Sequence, residues 1–224
     1  MTGIQGTALI TGIGAATAYK FAESGITVLS LLDIDLEKLE KTREELLLRN
    51  RENETKIHAI QVLTLCVDVT DETALTNAVQ ETVRRFGRID VAVHAAGVGD
   101  VELATHEVPV DDWRRIIEID QIGTWLCQRA VIRQMLKQEL DCHRDGFTVS
   151  FLRSCKAWMP NFTPRRKSAS MQFAQVREPG MIRDIQSLPI GRIGEPEEIA
   201  DAILFLASPM SSFVYEIGLL VNGG

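Results

Sequence analysis

The residues best suited to bind a ligand lie near the start of the chain, where a short apolar run ends in a glycine-containing turn. Thr11, Gly12, Ile13 and Gly14 form this turn, and a helical pattern follows it. A strand that passes straight into a helix in this way points backbone N–H groups and the positive end of the helix dipole at one place, where a pyrophosphate can bind. Two glycines at this spacing are about equally consistent with a tight turn that binds nothing. The turn therefore predicts a nucleotide site only if other residues agree with it.

A carboxylate at the end of the second apolar run, about 20 residues after the glycines, is the next residue suited to chemistry. Asp33 closes the run that starts at Ile26, and Ile34 follows it. A carboxylate in this place accepts hydrogen bonds from both hydroxyls of the adenosine ribose, and it repels a 2′-phosphate, so it favours NAD over NADP. Asp33 could instead cap the next helix, although Asp35 could do this equally well. The strand end, the spacing and the glycines together favour the ribose role for Asp33, with Ile34 beside the cofactor.

The elements that hold these residues alternate between apolar runs and helical patterns, which is typical of βαβ units and a parallel sheet. Strands are predicted at 7–11, 26–34, 60–69, 89–95, 147–152 and 219–222. Helices are predicted after each of the first four strands and before the last one. Thr70 is the predicted N-cap of the third helix, and Pro196 is predicted in the first turn of the last helix. The sequence thus predicts a single α/β domain over 1–224, with 153–188 as an irregular segment.

Composition and charge narrow the classes of partner and compartment. The 224 residues carry a formal net charge of −7, which argues against nucleic-acid and anionic-membrane partners because both need clustered lysines and arginines. No apolar stretch approaches the ~20 residues of a membrane span, and the first apolar run is too short for a signal peptide. The four cysteines lack metal-ligand spacing, so no metal site is expected, and reduced thiols in the cytoplasm are predicted.

Further motifs are spread over nearly the whole chain. They are the segments 8–18, 66–70, 94–97, 188–208 and 220–224. These segments resemble, in this order, the cofactor loop, the adenine-contact segment, the Asn-Asn-Ala-Gly strand end, the C-terminal signature and the closing Val-Asp-Gly-Gly of the short-chain dehydrogenase/reductase family. The resemblance implies a Rossmann-type, doubly wound parallel sheet that binds NAD and a small-molecule substrate and forms a homo-oligomer. It also implies cofactor contacts at Asp68, Val69, Ala95, Ala96, Gly97 and Ile182.

The resemblance implies an activity as well, the NAD(H)-dependent interconversion of a secondary alcohol and a ketone. In this family a tyrosine transfers the hydroxyl proton, a lysine lowers the pKa of that tyrosine, a serine orients the substrate oxygen and an asparagine supports a relay water. Ser154 stands at the serine position, Lys167 at the tyrosine position, Met171 at the lysine position and Asp120 at the asparagine position. Ser154, Lys167 and Asp120 are therefore the candidate catalytic residues.

The chain also departs from the family in length. One residue separates Gly12 from Gly14, where the family's loop is longer, and one helix and one strand of the family fold are missing between Phe173 and Glu178. Three hypotheses stay open at this point. The chain is an NAD-linked oxidoreductase, a non-redox relative that binds a ligand or performs acid/base chemistry with Asp120, Arg153 and Lys167, or a truncated, inactive product.

Overall fold

The computed structural model describes residues 4–12, 14–52, 59–98, 106–139, 147–153, 168–173, 195–212, 214 and 217–221. The strands are β1 (Thr7–Thr11), β2 (Val28–Asp33), β3 (Gln61–Cys66), β4 (Val91–His94), β5 (Phe147–Arg153), β6 (Ser168–Phe173) and β7 (Ile217–Leu220). They form one seven-stranded sheet in the order β3-β2-β1-β4-β5-β6-β7, and every neighbouring pair is parallel. The strand order reverses between β1 and β4, so the sheet is doubly wound, and ligands bind such sheets at the carboxyl ends of the strands beside this switch point.

Helices connect the strands and pack on both faces of the sheet. They are α1 (Ala15–Glu23), α2 (Leu36–Glu52), α3 (Glu72–Phe86), α4 (Val110–Ile116), α5 (Thr124–Met135) and α6 (Pro196–Ala207), with a π-helical turn (Ile117–Gly123) that joins α4 to α5 and a 3₁₀ turn (Pro209–Ser211) after α6. Among the described residues no helix combines the length and the apolar character that crossing a membrane requires.

Two hydrophobic cores form because successive side chains of a strand point to opposite faces of the sheet. The first core lies under α1, α2 and α6 and includes Phe21, Leu29, Leu31, Leu46, Val93 and Ile203. The second lies under α3 and α5 and includes Leu9, Leu32, Leu75, Val79, Val131 and Met135. A strand that contributes to both cores must be apolar along its whole length. This explains the uninterrupted apolar run of β2.

A buried pair of hydroxyl groups joins β2 to α3. Ser30 and Thr82 are fully buried, and their side-chain oxygens are 2.8 Å apart. The Thr82 hydroxyl also lies 2.8 Å from the carbonyl oxygen of Ala78. Because a carbonyl oxygen only accepts, the Thr82 proton is directed at Ala78, and Ser30 is the donor to Thr82.

Replacing Thr82 by valine, which keeps the shape of the side chain, is expected to lower the free energy of unfolding by about 1–2 kcal/mol, because the buried Ser30 hydroxyl loses its acceptor. A double variant that also carries Ser30→Ala removes both polar groups and is expected to recover part of this loss. Urea unfolding of the wild type, both single variants and the double variant measures the coupling. Losses that simply add would show that the two hydroxyls do not interact.

Most of the predicted elements are confirmed. The first helix ends just before Gly25, which has a φ of +107°, as expected of a glycine after a helix end. Pro196 occupies the first turn of α6, where Glu195 and Glu198 complete a capping box. The predicted α/β fold with a doubly wound parallel sheet is likewise confirmed by the strand order.

The predicted N-cap of α3 is wrong by one residue. Asp71 fills this position, and its carboxylate accepts the N–H groups of Thr73 and Ala74, each at 2.9 Å. A carboxylate can accept both amides and is stabilised by the positive end of the helix dipole. The hydroxyl of Thr70 donates to Asp68 instead.

The structure also contains a strand in the segment for which the sequence predicts no regular element. β6 pairs with β5 on one side and with β7 on the other, so it lies in the interior of the sheet. The helix and the strand predicted to be missing fall between Phe173 and Glu178, just after β6 and outside the described residues, so their absence stays a prediction.

Candidate cofactor site

The carboxyl ends of β1 and β4 meet at the switch point of the sheet. Thr11 and His94 are register partners, and the N–H of Ala95 continues the pairing by donating to the Thr11 carbonyl oxygen at 3.0 Å. Gly12 has a φ of +78°, and a Cβ atom built on it would lie 2.4 Å from the backbone N and Cα of Ala96. No side chain fits between them. The structure thus brings Gly12, Ala95 and Ala96 together, as predicted, with the backbones of the two strand ends in contact.

The turn after β1 is short and tight. The N–H of Gly14 donates to the carbonyl oxygen of Gly12 at 2.6 Å, and the N–H of Gly12 donates to that of Leu32 at 2.8 Å. A Cβ atom on Gly14 would lie 2.5 Å from Cγ2 of Ile10, so α1 begins directly against β1. No side chain in the described part of the chain caps α1. Its first N–H groups and its positive dipole end are therefore suited to an anion.

Asp33 ends β2 beside this turn. Its Oδ1 accepts the N–H of Asp35 at 2.9 Å. The N-cap of α2 is Asp35, whose Oδ1 accepts the N–H of Lys38 at 3.1 Å and whose Oδ2 lies 2.7 Å from Nζ of Lys38. The competing role of helix cap is thus taken by Asp35.

A cleft that is partly open to solvent lies between the glycine turn, the end of β2 and the start of α2. It is lined by Ile10, Gly12, Gly14, Ala15, Ala18, Leu31, Asp33, Lys38, Leu39 and Thr42. Two glycines that admit no Cβ, an uncapped helix N-terminus and a carboxylate are suited to a pyrophosphate and an adenosine ribose, so these residues fit that half of a dinucleotide. Lys38 and Thr42 were not among the residues predicted to line this site. Their i, i+4 spacing at the start of the helix that follows Asp33 is the signal that could have found them.

The predicted adenine contacts differ in how accessible they are. Ile34 is 68% exposed, whereas Val69 is only 7% exposed, because it packs against the π-helical turn, where a Cβ atom on Gly123 would lie 2.8 Å from its Cγ2. Asp68 is exposed, and its Oδ1 accepts both the N–H and the hydroxyl of Thr70. Ile34 and Asp68 therefore offer surface to a ligand, while Val69 is mostly enclosed by protein.

Asp120 lies in the π-helical turn between α4 and α5. Its side chain is 1% exposed, and its Oδ1 accepts the N–H of Val98 at 2.8 Å. The turn thereby holds the segment that follows β4, which includes Gly97. π-helical turns inside α-helices are frequent at functional sites.

Two further titratable side chains are buried near the carboxyl ends of β1 and β4. His94 is 1% exposed, and neither ring nitrogen has a hydrogen-bond partner among the described residues. Burial lowers the pKa of His94 to about 3, and burial raises the pKa of the Cys127 thiol to about 12. Both side chains are therefore uncharged at neutral pH. Thr11, also predicted to contact the cofactor, is 1% exposed, so it offers little of its side chain to the cleft.

Four predicted site residues lie outside the described residues. They are Ile13, Ser154, Lys167 and Ile182. The described part of the candidate site is thus the part that contains Gly12, Gly14 and Asp33.

Comparisons with known proteins agree with this fold. The family model of short chain dehydrogenases matches residues 6–140. A cis-4-hydroxycyclohexanecarboxylate dehydrogenase of Sinomonas cyclohexanicum is 32% identical, over 97% of this chain and 94% of its own, and the short-chain dehydrogenase fogB of Aspergillus ruber is 30% identical over 95% and 92%. The crystal structure of an NAD⁺-bound xylitol dehydrogenase is similar with a TM-score of 0.77 at 23% identity and covers 98% of both chains. With its glycine turn at the switch point of a doubly wound sheet, this chain belongs to the short-chain dehydrogenase family of oxidoreductases.

Proposed function

We propose that this protein binds NAD(H) and catalyses the interconversion of a secondary alcohol and a ketone in a small-molecule substrate. The cleft in which the glycine turn meets Asp33 carries the proposal. There the first N–H groups of α1 would bind the pyrophosphate, and the carboxylate of Asp33 would accept the ribose hydroxyls and repel a 2′-phosphate. When bound, the nicotinamide supplies or accepts the hydride.

The catalytic end of the site is proposed from the family resemblance. Ser154, which directly follows the carboxyl end of β5, would orient the substrate oxygen. Lys167 directly precedes Ser168, which starts β6 opposite Thr148 at the amino edge of the parallel sheet, whereas the glycine turn lies at the carboxyl edge. The described topology therefore does not support the role of the proton-transferring tyrosine for Lys167. The carboxylate of Asp120 accepts the N–H of Val98. It would thereby position the segment between β4 and α4.

A second candidate function is non-redox acid/base chemistry or ligand binding on the same fold. The observation that favours it is Asp120 itself, a carboxylate with 1% exposure at the family's asparagine position. A buried carboxyl is the kind of group whose pKa proteins adapt to proton transfer.

The third hypothesis, a shortened product, is supported by the lengths of the alignments. The alignment with the Sinomonas dehydrogenase runs over 248 positions and the one with the Aspergillus protein over 268, whereas this chain has 224 residues. The relatives therefore carry residues that have no counterpart here, and the third hypothesis predicts cofactor binding without turnover.

We also propose a cytoplasmic homo-oligomer. Two of the four cysteines lie in the described part of the chain, and both are free thiols, which favours a reducing compartment. Large apolar side chains are exposed along the helices and the turn that precede β5, which favours a protein partner for this surface. They are Val110, Trp113, Ile122, Trp125 and Leu136.

Titration with NADH, followed by nicotinamide fluorescence, tests the proposed function. The wild type is expected to bind NADH. Asp33→Ala is expected to weaken the affinity for NADH about ten- to hundredfold, because hydrogen bonds to a charged acceptor contribute about 1.5–3 kcal/mol. Glu37→Ala is the matched control, since Glu37 is an exposed carboxylate in the first turn of α2 that does not line the cleft.

No binding of NADH at millimolar concentration would refute the proposed cofactor. Equal losses of NADH affinity in Asp33→Ala and Glu37→Ala would refute the proposed role of Asp33 but not the proposed cofactor. A panel of ketones offered with NADH then separates the hypotheses. Turnover supports the oxidoreductase, and binding without turnover supports the second or third candidate.

A further inference from the structure

The first turn of α2 contains a charge arrangement that bears on which dinucleotide the cleft selects. Building on the proposed NAD function, we infer that Asp35 is a positioning residue that holds the Lys38 ammonium and so keeps it from binding a 2′-phosphate on the adenosine ribose. Asp33 repels the 2′-phosphate directly, and Asp35 removes the cation that would otherwise attract it.

Asp35 holds Lys38 at two points. One carboxylate oxygen accepts the backbone N–H of Lys38 at 3.1 Å, and the other lies 2.7 Å from its ammonium nitrogen. The backbone N–H of Asp35 in turn donates to Asp33 at 2.9 Å. The Lys38 side chain is 62% exposed, so packing does not fix the ammonium, and the contact with Asp35 favours the position beside that carboxylate.

The charges around the cleft explain why the contact between Asp35 and Lys38 affects the binding of a 2′-phosphate. Asp33 and Lys38 line the same cleft, and Lys38 is the only cation among its described lining residues. The pKa of Lys38 is raised above its ordinary value, mainly by the hydrogen bond to Asp35 and also by the charges of Asp33 and Glu37, so the side chain stays protonated. The carboxylates of Asp33, Asp35 and Glu37 outnumber the single ammonium of Lys38. A dianionic phosphate is therefore repelled on balance. A released Lys38 would supply the missing counter-charge.

Asparagine at position 35 separates the charge of Asp35 from its structural role. Asparagine caps helices about as well as aspartate, so Asp35→Asn keeps an acceptor for the N–H of Lys38 but removes the ion pair. Asp35→Glu keeps the charge and is the conservative rescue variant. Lys38→Met removes the cation and keeps the apolar stem.

The experiment measures the affinity for adenosine 2′-monophosphate by calorimetry, which requires neither nicotinamide nor turnover. In the Asp33→Asn background, adding Asp35→Asn is expected to tighten binding by up to about fivefold, because a charge contact at an exposed site is weak. Adding Lys38→Met is expected to cancel the gain, and Asp35→Glu in place of Asp35→Asn is expected to prevent it. The gain should shrink as salt is raised, because the pair is exposed. The ratio of NADPH to NADH affinity, measured by fluorescence, should follow the same order.

Equal affinity with and without Asp35→Asn, or a gain that persists in the Lys38→Met variant, would overturn the inference. The outcome is separable from that of the proposed function. A wild type that fails to bind NADH refutes the cofactor proposal, whereas a Lys38-dependent gain in 2′-monophosphate affinity would still support the role of Asp35. Urea unfolding of each variant confirms that the compared proteins are folded.

Discussion

Replacing Gly12 by alanine is expected to lower the free energy of unfolding by about 2–5 kcal/mol and to abolish NADH binding. Two costs add up at this position. The backbone has a φ of +78°, and a residue with a Cβ atom pays about 1–2 kcal/mol in this left-handed region. The new Cβ atom would also lie 2.4 Å from the backbone of Ala96, and forcing an extra carbon into a packed contact costs about 1–3 kcal/mol more.

Gly87→Ala is the matched control for this prediction. Gly87 has a φ of +87°, and nothing lies within 4 Å of the position of its Cβ atom, so only the backbone cost of about 1–2 kcal/mol applies. Urea unfolding of both variants beside the wild type isolates the collision with Ala96 as the difference between them. Equal losses would show that the strand ends of β1 and β4 are not in contact at Gly12. NADH titration without urea, at a temperature at which both variants are folded, tests the loss of binding.

The parts of the fold that follow from local rules could be predicted from the sequence. β2 must face two cores, so its residues are apolar without alternation, and this run is visible in the printed sequence. Gly25 and Pro196 mark a helix end and a helix start because each has a backbone preference that few positions accept. The glycine turn and Asp33 could be placed beside one another before any coordinates were known, because each ends one of two neighbouring parallel strands.

Other parts could not be predicted because they depend on contacts distant in sequence. Residues 168–173 begin with Ser-Ala-Ser, which does not favour a strand by itself, and they form β6 because β5 and β7 supply hydrogen bonds on both sides. The N-cap of α3 was ambiguous because Thr70 and Asp71 are both good caps, and the hydrogen bond of Thr70 to Asp68 decides it. Lys38 enters the cleft only through the packing of α2 beside β2.

The second large effect is expected in the dependence of stability on pH, and His94 is its source. Burial lowers the pKa of His94 to about 3 in the folded state, whereas in the unfolded chain its pKa is about 6.5. Between these two values the unfolded state binds one proton more than the folded state at this side chain. The free energy of unfolding therefore falls as the pH drops below 6.5, by about 1.4 kcal/mol per pH unit, and this contribution levels off near pH 3.

His94→Asn tests this, because asparagine is the residue at the corresponding place in the family motif and does not titrate. Urea unfolding between pH 7.5 and pH 4.5 is expected to show a shallower decline in the variant, with a difference in the pH-dependent loss of about 2 kcal/mol at pH 5. Carboxylates that titrate in the same range affect both proteins alike and cancel in the comparison. His106 is exposed, so His106→Asn controls for the loss of a histidine as such and should follow the wild type. A His94→Asn curve parallel to the wild type would mean that the pKa of His94 is the same in the folded and unfolded states, so that burial does not lower it.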